Sequence, residues 1–171
     1  MIDDIKYAVV AAVDSSNGFA RFGQIPWYFS EDFKHFRELT MGNICVMGRN
    51  TYNDINERMG EKGAQDVLPG RTNIVLSNTL GRVQNAWVLG SLDAVRDSLF
   101  LESRTVFFIG GEQIFKEGLE LADEVYLTIV PGDYQCDSFF PELDLNTFEI
   151  TSEMKTESGL TFIKAVRKLN N

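Results

Sequence analysis

The chain is poor in the residues that build metal centres and covalent catalytic sites. It holds one histidine, His35, and two cysteines, Cys45 and Cys136. A single histidine excludes a multi-histidine metal site and argues against a histidine-based catalytic triad. The two cysteines lie far apart, which is not the spacing of a metal site or of a disulfide framework. We therefore expect no bound metal, and we expect Cys45, inside the apolar run ICVMG, to be a buried free thiol.

Basic residues are also scarce. The chain has 16 Lys and Arg against 25 Asp and Glu, a net charge of −9 and a pI near 4.6. Such a chain lacks the basic surface that binding to nucleic acid or to an anionic membrane requires. The start MIDDIKY has no signal-peptide pattern, and no apolar run approaches the roughly 20 residues that span a bilayer. We therefore expect a cytoplasmic protein without nucleic-acid or membrane partners.

Short apolar strands and amphipathic helices alternate along the 171 residues. Strands are predicted in YAVVAAV, NICVMG, TNIVLS, AWVLG, RTVFFIG and EVYLTIV, and helices over 30–39, 49–59, 91–100 and 112–121. The last two strands, FEITSEM and LTFIKAVRKL, would form a hairpin that turns at ESG. The pattern predicts one α/β domain over residues 1–171. Its sheet would be mostly parallel with an antiparallel edge, and helices would cover both faces.

A carboxylate on an apolar helix face stands out in GQIPWYFSEDFKHFREL. A helix that begins near Ser30 places Asp32 in the apolar sector and His35 on the opposite, polar side. The other members of that sector are Phe29, Phe33, Phe36, Leu39 and Thr40. An acidic residue in the first helical turn is favoured by about 0.3–1 kcal/mol, so a purely structural role stays open. The alternative is a buried carboxylate of raised pKa that holds a cationic or amidine-like ligand and helps to deliver a proton.

Two strand ends carry features that suit phosphate binding. VFFIGGEQIF runs through Gly110 and Gly111 directly into a helix, so backbone N–H groups can approach a pyrophosphate closely. VMGRNTYNDI places Gly48 and Arg49 at a second strand-to-helix junction, and a guanidinium is a good phosphate ligand. Each feature alone also fits an ordinary turn. Their occurrence at two strand ends favours a phosphate-bearing ligand, whereas Arg71, after a Pro-Gly turn, is by itself no more than a surface arginine.

Seven motifs follow one another along essentially the whole chain: GQIPW, EDFKHFRELT, VMGRNTY, LPGRTNIVLS, VFFIGGEQIF, VYLTIV and CDSFFP. In this order and spacing they resemble dihydrofolate reductase. The resemblance implies a central eight-stranded sheet flanked by four helices. It also implies hydride transfer from NADPH to 7,8-dihydrofolate, which gives tetrahydrofolate for one-carbon metabolism and thymidylate synthesis. We further expect a monomer that binds antifolate inhibitors.

The resemblance implies a role for each residue around the substrate. Asp32 would bind the pterin 2-amino group and N3 and promote protonation at N5. Thr128 would hydrogen-bond to that carboxylate and, through water, to the pterin, and Trp27 would reach the pterin through water. Arg71 would pair with the α-carboxylate of the substrate's glutamate, and Ile25 would lie in a mobile loop over the nicotinamide. The lining of the pterin and aminobenzoyl pocket would comprise Phe33, Phe36, Ile55 and Leu68, with Val9, Val10 and Ile109 bordering both substrate and nicotinamide.

The resemblance also implies a cofactor site. The pyrophosphate turn would comprise Gly110, Gly111, Glu112, Gln113 and Ile114, followed by Phe115. A second phosphate site would comprise Gly48, Arg49, Asn50 and Thr51. Ser77 and Asn78 would lie near the adenosine ribose, and Asn17 and Gly18 near the nicotinamide.

The chain departs from the family pattern at three places in the cofactor and substrate regions. Gln113 stands where bacterial relatives often have an arginine near the adenosine 2′-phosphate, which leaves Arg49 as the main charged ligand. Phe115 occupies a position often held by tyrosine. The connection Asn56–Val67 is longer than usual. Two other readings share the fold: a pyrimidine reductase of riboflavin synthesis and a nucleotide-binding module without turnover. The presence of Asp32, Trp27, Thr128 and Arg71 together favours the folate reading over both.

Overall fold

A computed structural model describes residues 5–61 and 65–169 of the chain. The strands are β1 (Tyr7–Val13), β2 (Gly18–Ala20), β3 (Ile44–Gly48), β4 (Thr72–Leu76), β5 (Trp87–Leu89), β6 (Val106–Phe108), β7 (Glu124–Ile129), β8 (Ser138–Phe139), β9 (Phe148–Lys155) and β10 (Thr161–Arg167). The helices are α1 (Ser30–Thr40), α2 (Arg49–Glu61), α3 (Leu92–Ser98) and α4 (Glu112–Leu121).

Eight strands form one twisted sheet in the order β5-β4-β3-β6-β1-β7-β10-β9. The first six of these run parallel, and β10 and β9 add an antiparallel edge. The predicted single α/β domain, with its eight-stranded sheet, terminal hairpin and four helices, is confirmed. Because β1 to β7 of this sheet are parallel, their carboxyl ends meet at one edge, where α/β sheets bind ligands.

The sheet separates two apolar layers because side chains alternate along each strand. In β1, Val9 and Val13 enter the layer beneath α3 and α4, together with Val95 and Ile114. Val10 points into the opposite layer, where Tyr52 of α2 and Phe36 of α1 pack against the sheet. Each layer buries several large aliphatic or aromatic side chains, worth about 1.5–3 kcal/mol apiece in transfer free energy. The sheet and its four helices thereby hold the strand ends in fixed positions.

The predicted organisation is wrong in three details. Helix α3 ends at Ser98, whereas the prediction extended it to residue 100. A separate two-stranded sheet pairs β2 with β8, both of which were expected to be loop. These strands are three and two residues long, too short to show a period, and their pairing joins segments far apart in sequence. Helix α2 continues past the predicted end at Met59 to Glu61, so the connection Asn56–Val67 is helical in its first half. Residues 62–64 of that connection lie outside the described part of the chain.

Within the described ranges, no helix is long and apolar enough to cross a membrane. The same residues include no group of three or more His, Cys, Asp and Glu that could hold a metal ion.

Candidate functional site

Asp32 lies in the first turn of α1, where its carboxylate meets strand β7. Burial raises the pKa of the Asp32 carboxyl, and a hydrogen bond from the Thr128 hydroxyl partly opposes that rise. Thr128 is 3% exposed, so this hydroxyl lies in the protein interior. A carboxylate held at such a point can take up a proton nearer to neutral pH than an exposed one, and it can accept two parallel N–H groups. Asp32 and Thr128, which the family resemblance expected to be hydrogen-bonded, thus lie in contact.

His35 does not lie on a solvated face, contrary to the prediction from helical periodicity. Its ring stacks on Phe162 of β10, with centroids 4.1 Å apart and planes 21° apart. Phe162 is the register partner of Thr128, so His35 completes a cluster around Asp32. Burial lowers the pKa of His35, while the nearby Asp32 and Glu38 carboxylates raise it. The sequence could not give this contact because β10 lies over a hundred residues further along the chain.

The apolar wall beside Asp32 comes from several elements on one face of the sheet. Residues of this wall are Val10, Phe36, Ile55, Leu68 and Ile109. Phe33 is 36% exposed and packs against Tyr28 at the surface, with ring centroids 5.3 Å apart. The side chain of Val9 does not contribute to this wall. It is fully buried in the opposite layer because neighbouring residues of β1 point to opposite faces.

Arg71 is half-buried and fixed by its neighbours. Its Nε donates to the Pro69 carbonyl at 3.0 Å, and Nη1 donates to Thr40 Oγ1 at 3.2 Å. Burial lowers the pKa of Arg71, but a guanidinium stays charged at any physiological pH. Cys45, beside it, is the buried free thiol that the sequence predicted, and burial raises its pKa to about 12. The arrangement presents an oriented cation at the end of the apolar wall.

The segment between β2 and α1 carries Trp27 and Ile25. Trp27 is 8% exposed and packs edge-on against Tyr134, with ring centroids 5.2 Å apart. Ile25 is 38% exposed, as a residue of an outer loop would be. The loop is attached at Phe22, whose backbone N–H donates to Asp137 Oδ2 at 3.0 Å. Trp27 is thus anchored by packing, whereas Arg21 and Gln24 at the start of the segment exchange two backbone hydrogen bonds.

A cleft of about 700 Å³ opens beside the carboxyl ends of β3 and β4 and the start of α4. Ten of the predicted cofactor residues line it: Gly48, Arg49, Asn50, Thr51, Ser77, Asn78, Gly111, Glu112, Gln113 and Ile114. Such a volume falls within the roughly 300–1,000 Å³ of small-molecule sites. Helices α2 and α4 both begin at the cleft, so their free N–H groups and the Arg49 guanidinium offer donors to phosphates. This donor set fits a dinucleotide such as NADPH.

The floor of the cleft requires glycine. Gly48 N donates to the Gly110 carbonyl at 2.8 Å, which joins the two phosphate-binding turns. Gly110 has a φ of +124°, and an added Cβ would lie 3.1 Å from Phe115 Cζ and 3.4 Å from Thr51 Oγ1. Phe115 is therefore a support beneath the turn, with 2% of its surface exposed, and Gly110 is buried there as well. Neither Gly110 nor the Phe115 side chain is among the residues that line the open cleft.

Asn17 and Gly18 lie next to the cleft in a tight turn that depends on a residue the sequence reasoning missed. Asp14, 2% exposed, accepts backbone N–H groups of Ser16 at 3.0 Å, Gly18 at 2.9 Å and Tyr134 at 3.0 Å. Asn17 adopts φ 67°. The stretch DSSNG is typical of an Asx turn and could have indicated the local contacts of Asp14, but not the distant one. Thr79, which accepts from Arg49 Nη1 at 2.8 Å, was also missed.

The sequence and the fold are both similar to those of known dihydrofolate reductases. The family model described as dihydrofolate reductase matches residues 6–166. A dihydrofolate reductase of Staphylococcus aureus is 30% identical over 152 residues, which are 85% of this chain and 87% of the relative. A bifunctional dihydrofolate reductase-thymidylate synthase of Paramecium tetraurelia is 27% identical over 95% of this chain, which spans only 34% of that relative. The solved dihydrofolate reductase of Enterococcus faecalis, complexed with NADP(H) and RAB-propyl, superposes with a TM-score of 0.79 at 27% identity, covering 95% and 96% of the two chains.

Proposed function

The chain belongs to the dihydrofolate reductase family, and from that premise we propose how its own residues carry out the reaction. The enzyme reduces 7,8-dihydrofolate to 5,6,7,8-tetrahydrofolate with NADPH. The observation that carries the residue assignment is the half-buried Asp32 carboxylate beside the Thr128 hydroxyl, at the head of an apolar wall that ends in Arg71. A planar heterocycle, an aromatic linker and a terminal carboxylate match these three features in order.

Asp32 is the catalytic residue of this scheme. Its two oxygens accept the 2-amino group and N3–H of the pterin, and the Thr128 hydroxyl fixes the orientation of the carboxylate. Because burial raises its pKa, Asp32 holds a proton over a wider pH range than an exposed aspartate and favours protonation of N5. Trp27 positions a water at the same edge, and Ile25 closes the site from the loop side.

The rest of the substrate lies along the apolar wall. Phe36 of α1, with the more exposed Phe33 beside it, would flank the pterin and aminobenzoyl rings, and Ile55 and Leu68 would cover the opposite side. Arg71 forms a charge-assisted fork with the α-carboxylate of the glutamate, using guanidinium N–H groups that its bonds to Pro69 and Thr40 leave available. The same wall is the surface that antifolate inhibitors would occupy.

NADPH supplies the hydride when it is bound in the 700 Å³ cleft. The N–H groups of the Gly110-Gly111 turn and of the α4 start would hold its pyrophosphate. Arg49, with Ser77 and Asn78, would bind the adenosine phosphate, and Asn17, Gly18 and Ile109 would border the nicotinamide with the backbone of Val9 and Val10. The residues present fit the cofactor because the starts of α2 and α4 and the Arg49 guanidinium meet at this one cleft.

We further infer a monomeric single domain over residues 1–171 that acts in the cytoplasm and binds no nucleic acid. The support is its net charge of −9 and the apolar layer packed on each face of the eight-stranded sheet. Sedimentation of the purified enzyme at micromolar concentration tests the monomer.

Oxidation of NADPH in the presence and absence of dihydrofolate is the test of the proposed function. We expect consumption that depends on dihydrofolate and that yields tetrahydrofolate in equal amount. Consumption without the folate substrate, or none with it, would contradict the proposal. Replacement of NADPH by NADH in the same assay measures the effect of the neutral Gln113 on cofactor choice.

A further inference from the structure

Four charged side chains line the cofactor cleft, and their charges cancel. They are Arg49, Lys116, Glu112 and Glu117. A cleft for a polyphosphate ligand would be expected to carry excess positive charge. The presence of two carboxylates therefore has to be explained by what each of them contacts.

Glu112 and Lys116 neutralise one another. They lie one helical turn apart on α4, and Lys116 Nζ is 3.7 Å from Glu112 Oε1. Both side chains are more than half exposed, at 57% for Lys116 and 53% for Glu112. Such an i,i+4 pair contributes little to stability. Its two opposite charges add nothing to the net charge of the cleft.

The other two charged residues of the cleft, Glu117 and Arg49, have no such partner of opposite charge among the described residues. Arg49 Nη1 donates to Thr79 Oγ1, and Gln113 Nε2 donates to Glu117 Oε1 at 3.3 Å. Throughout the described part of the chain, neither of the two charged groups makes an ion pair within 4.0 Å. The hydrogen-bond partner of the Glu117 carboxylate is thus the neutral amide of Gln113, which does not compensate its charge. This carboxylate lies at the cleft wall, on the helix that begins at the pyrophosphate turn.

NADPH and NADH differ by one phosphate on the adenosine ribose, which carries about −1.5 to −2 charges near neutral pH. A carboxylate in the same cleft repels that phosphate, whereas it can accept a hydrogen bond from the 2′-hydroxyl that NADH has instead. We propose that Glu117 is a specificity-determining residue that narrows the preference of this enzyme for NADPH over NADH. This inference rests on the proposed function, because it takes the cleft as the cofactor site.

The experiment measures binding of NADPH and of NADH separately, by energy transfer from tryptophan to the reduced nicotinamide, without any folate present. Glu117→Gln removes the charge and keeps the size of the side chain. We expect the ratio of the two dissociation constants to shift toward NADPH by about three- to tenfold at low salt, and the shift to shrink at high ionic strength. Glu117→Asp retains the charge and should keep the wild-type ratio.

Glu120→Gln is the matched control. Glu120 lies on the same helix, is exposed and does not line the cleft, so this change alters the net charge equally without altering the site. An equal change in the affinity for both cofactors in Glu117→Gln, or the same shift in Glu120→Gln, would overturn the role of Glu117. If the wild-type protein bound neither cofactor, the cleft would not be the cofactor site and the proposed function would fail with it. Binding of both with an unaltered ratio refutes Glu117 alone.

Discussion

The Thr128 hydroxyl donates a hydrogen bond to the Asp32 carboxylate and so connects strand β7 to the first turn of α1. Thr128 also faces Phe162 across the β7–β10 pairing, and Phe162 supports His35. Helix α1 and strands β7 and β10 thus each contribute a side chain to the cluster around the carboxylate. Its raised pKa is a balance between burial, which raises it, and the hydroxyl, which lowers it.

Thr128→Val removes the hydroxyl and keeps the shape of the side chain. We expect the pKa of Asp32 to rise further, because only the lowering contribution is lost. In a profile of kcat/KM against pH, activity should then decline with rising pH at a higher pH than in the wild type. Thr151→Val, an exposed residue of β9, should leave the profile in place. A profile that moved to lower pH, or did not move, would contradict the assigned contact.

Asp32→Asn removes the titratable group from the site. An amide cannot hold the proton and offers only one acceptor to the two N–H groups of the pterin. We expect turnover at neutral pH to fall by about a hundredfold or more, the usual contribution of a general acid, while the affinity for NADPH stays within about twofold. Dihydrofolate-dependent NADPH oxidation and cofactor binding measure the two quantities. Full activity in this variant would show that Asp32 has no catalytic role.

The same substitution should stabilise the protein at neutral pH. The folded-state pKa of Asp32 is raised above its ordinary 3.8, so its ionisation costs folding free energy that appears as the pH rises through the folded pKa. Asp32→Asn avoids this cost, so we expect Tm to increase by about 2–4 °C for each kcal/mol relieved. The gain should disappear as the pH falls below 3.8, where wild-type Asp32 is protonated in both the folded and the unfolded state. Thermal unfolding at neutral and acidic pH tests the sign.

Local patterns predicted local structure well. The period of apolar residues and the glycine pair before Glu112 predicted α4 with the bounds that the structure has. Ser91, the first residue of the helix predicted over 91–100, caps α3, and its Oγ accepts a hydrogen bond from Ala94 N at 3.1 Å. Ten of the residues that the family motifs assigned to the cofactor line one cleft.

The features that the sequence did not predict depend mainly on contacts between segments far apart in the chain. His35 has polar neighbours along its helix, and only the β10 strand folded over it makes it half-buried. The β2–β8 pair likewise depends on a contact between residues more than a hundred positions apart, which no local period encodes. Val9 was placed beside the substrate by motif order, but the alternation of β1 directs its side chain to the other layer.

Arg71→Leu should weaken binding of the substrate's glutamate without altering the chemical step. Arg71 lies at the end of the apolar wall, remote from the Asp32–Thr128 pair, so its contact is equal in the ground state and the transition state. We expect KM for dihydrofolate to rise about tenfold to a hundredfold with kcat largely retained. Arg71→Lys should recover only part of this loss, because an ammonium cannot form the fork.

Dihydropteroate, which lacks the glutamate, is the matched substrate for this variant. Its KM should be the same for wild-type and Arg71→Leu enzymes. An equal loss with both substrates would mean that Arg71 supports the pocket rather than binding the carboxylate.

Asp14 should prove to be a stabilising residue whose contribution depends on pH. Burial raises its pKa, but N–H groups of Tyr134, Gly18 and Ser16 outweigh burial and leave the pKa below the ordinary 3.8. A depressed folded-state pKa gives stability that is present above 3.8 and is lost as the pH falls through the folded pKa. Asp14→Ala leaves these donors unpaired in the interior, at a cost of about 2–4 kcal/mol in the free energy of unfolding near neutral pH.

Urea unfolding of the wild type and of Asp14→Ala at several pH values tests this account. The difference between them should be largest near neutral pH and should shrink as the solution becomes more acidic than pH 3.8. Asp144→Ala is the control, because Asp144 accepts similar turn hydrogen bonds from Asn146 N and Thr147 Oγ1 but is exposed. Its loss should be smaller, since water can replace the carboxylate there. A pH-independent difference for Asp14→Ala would show that the side chain stabilises the turn by packing and that its charge contributes nothing.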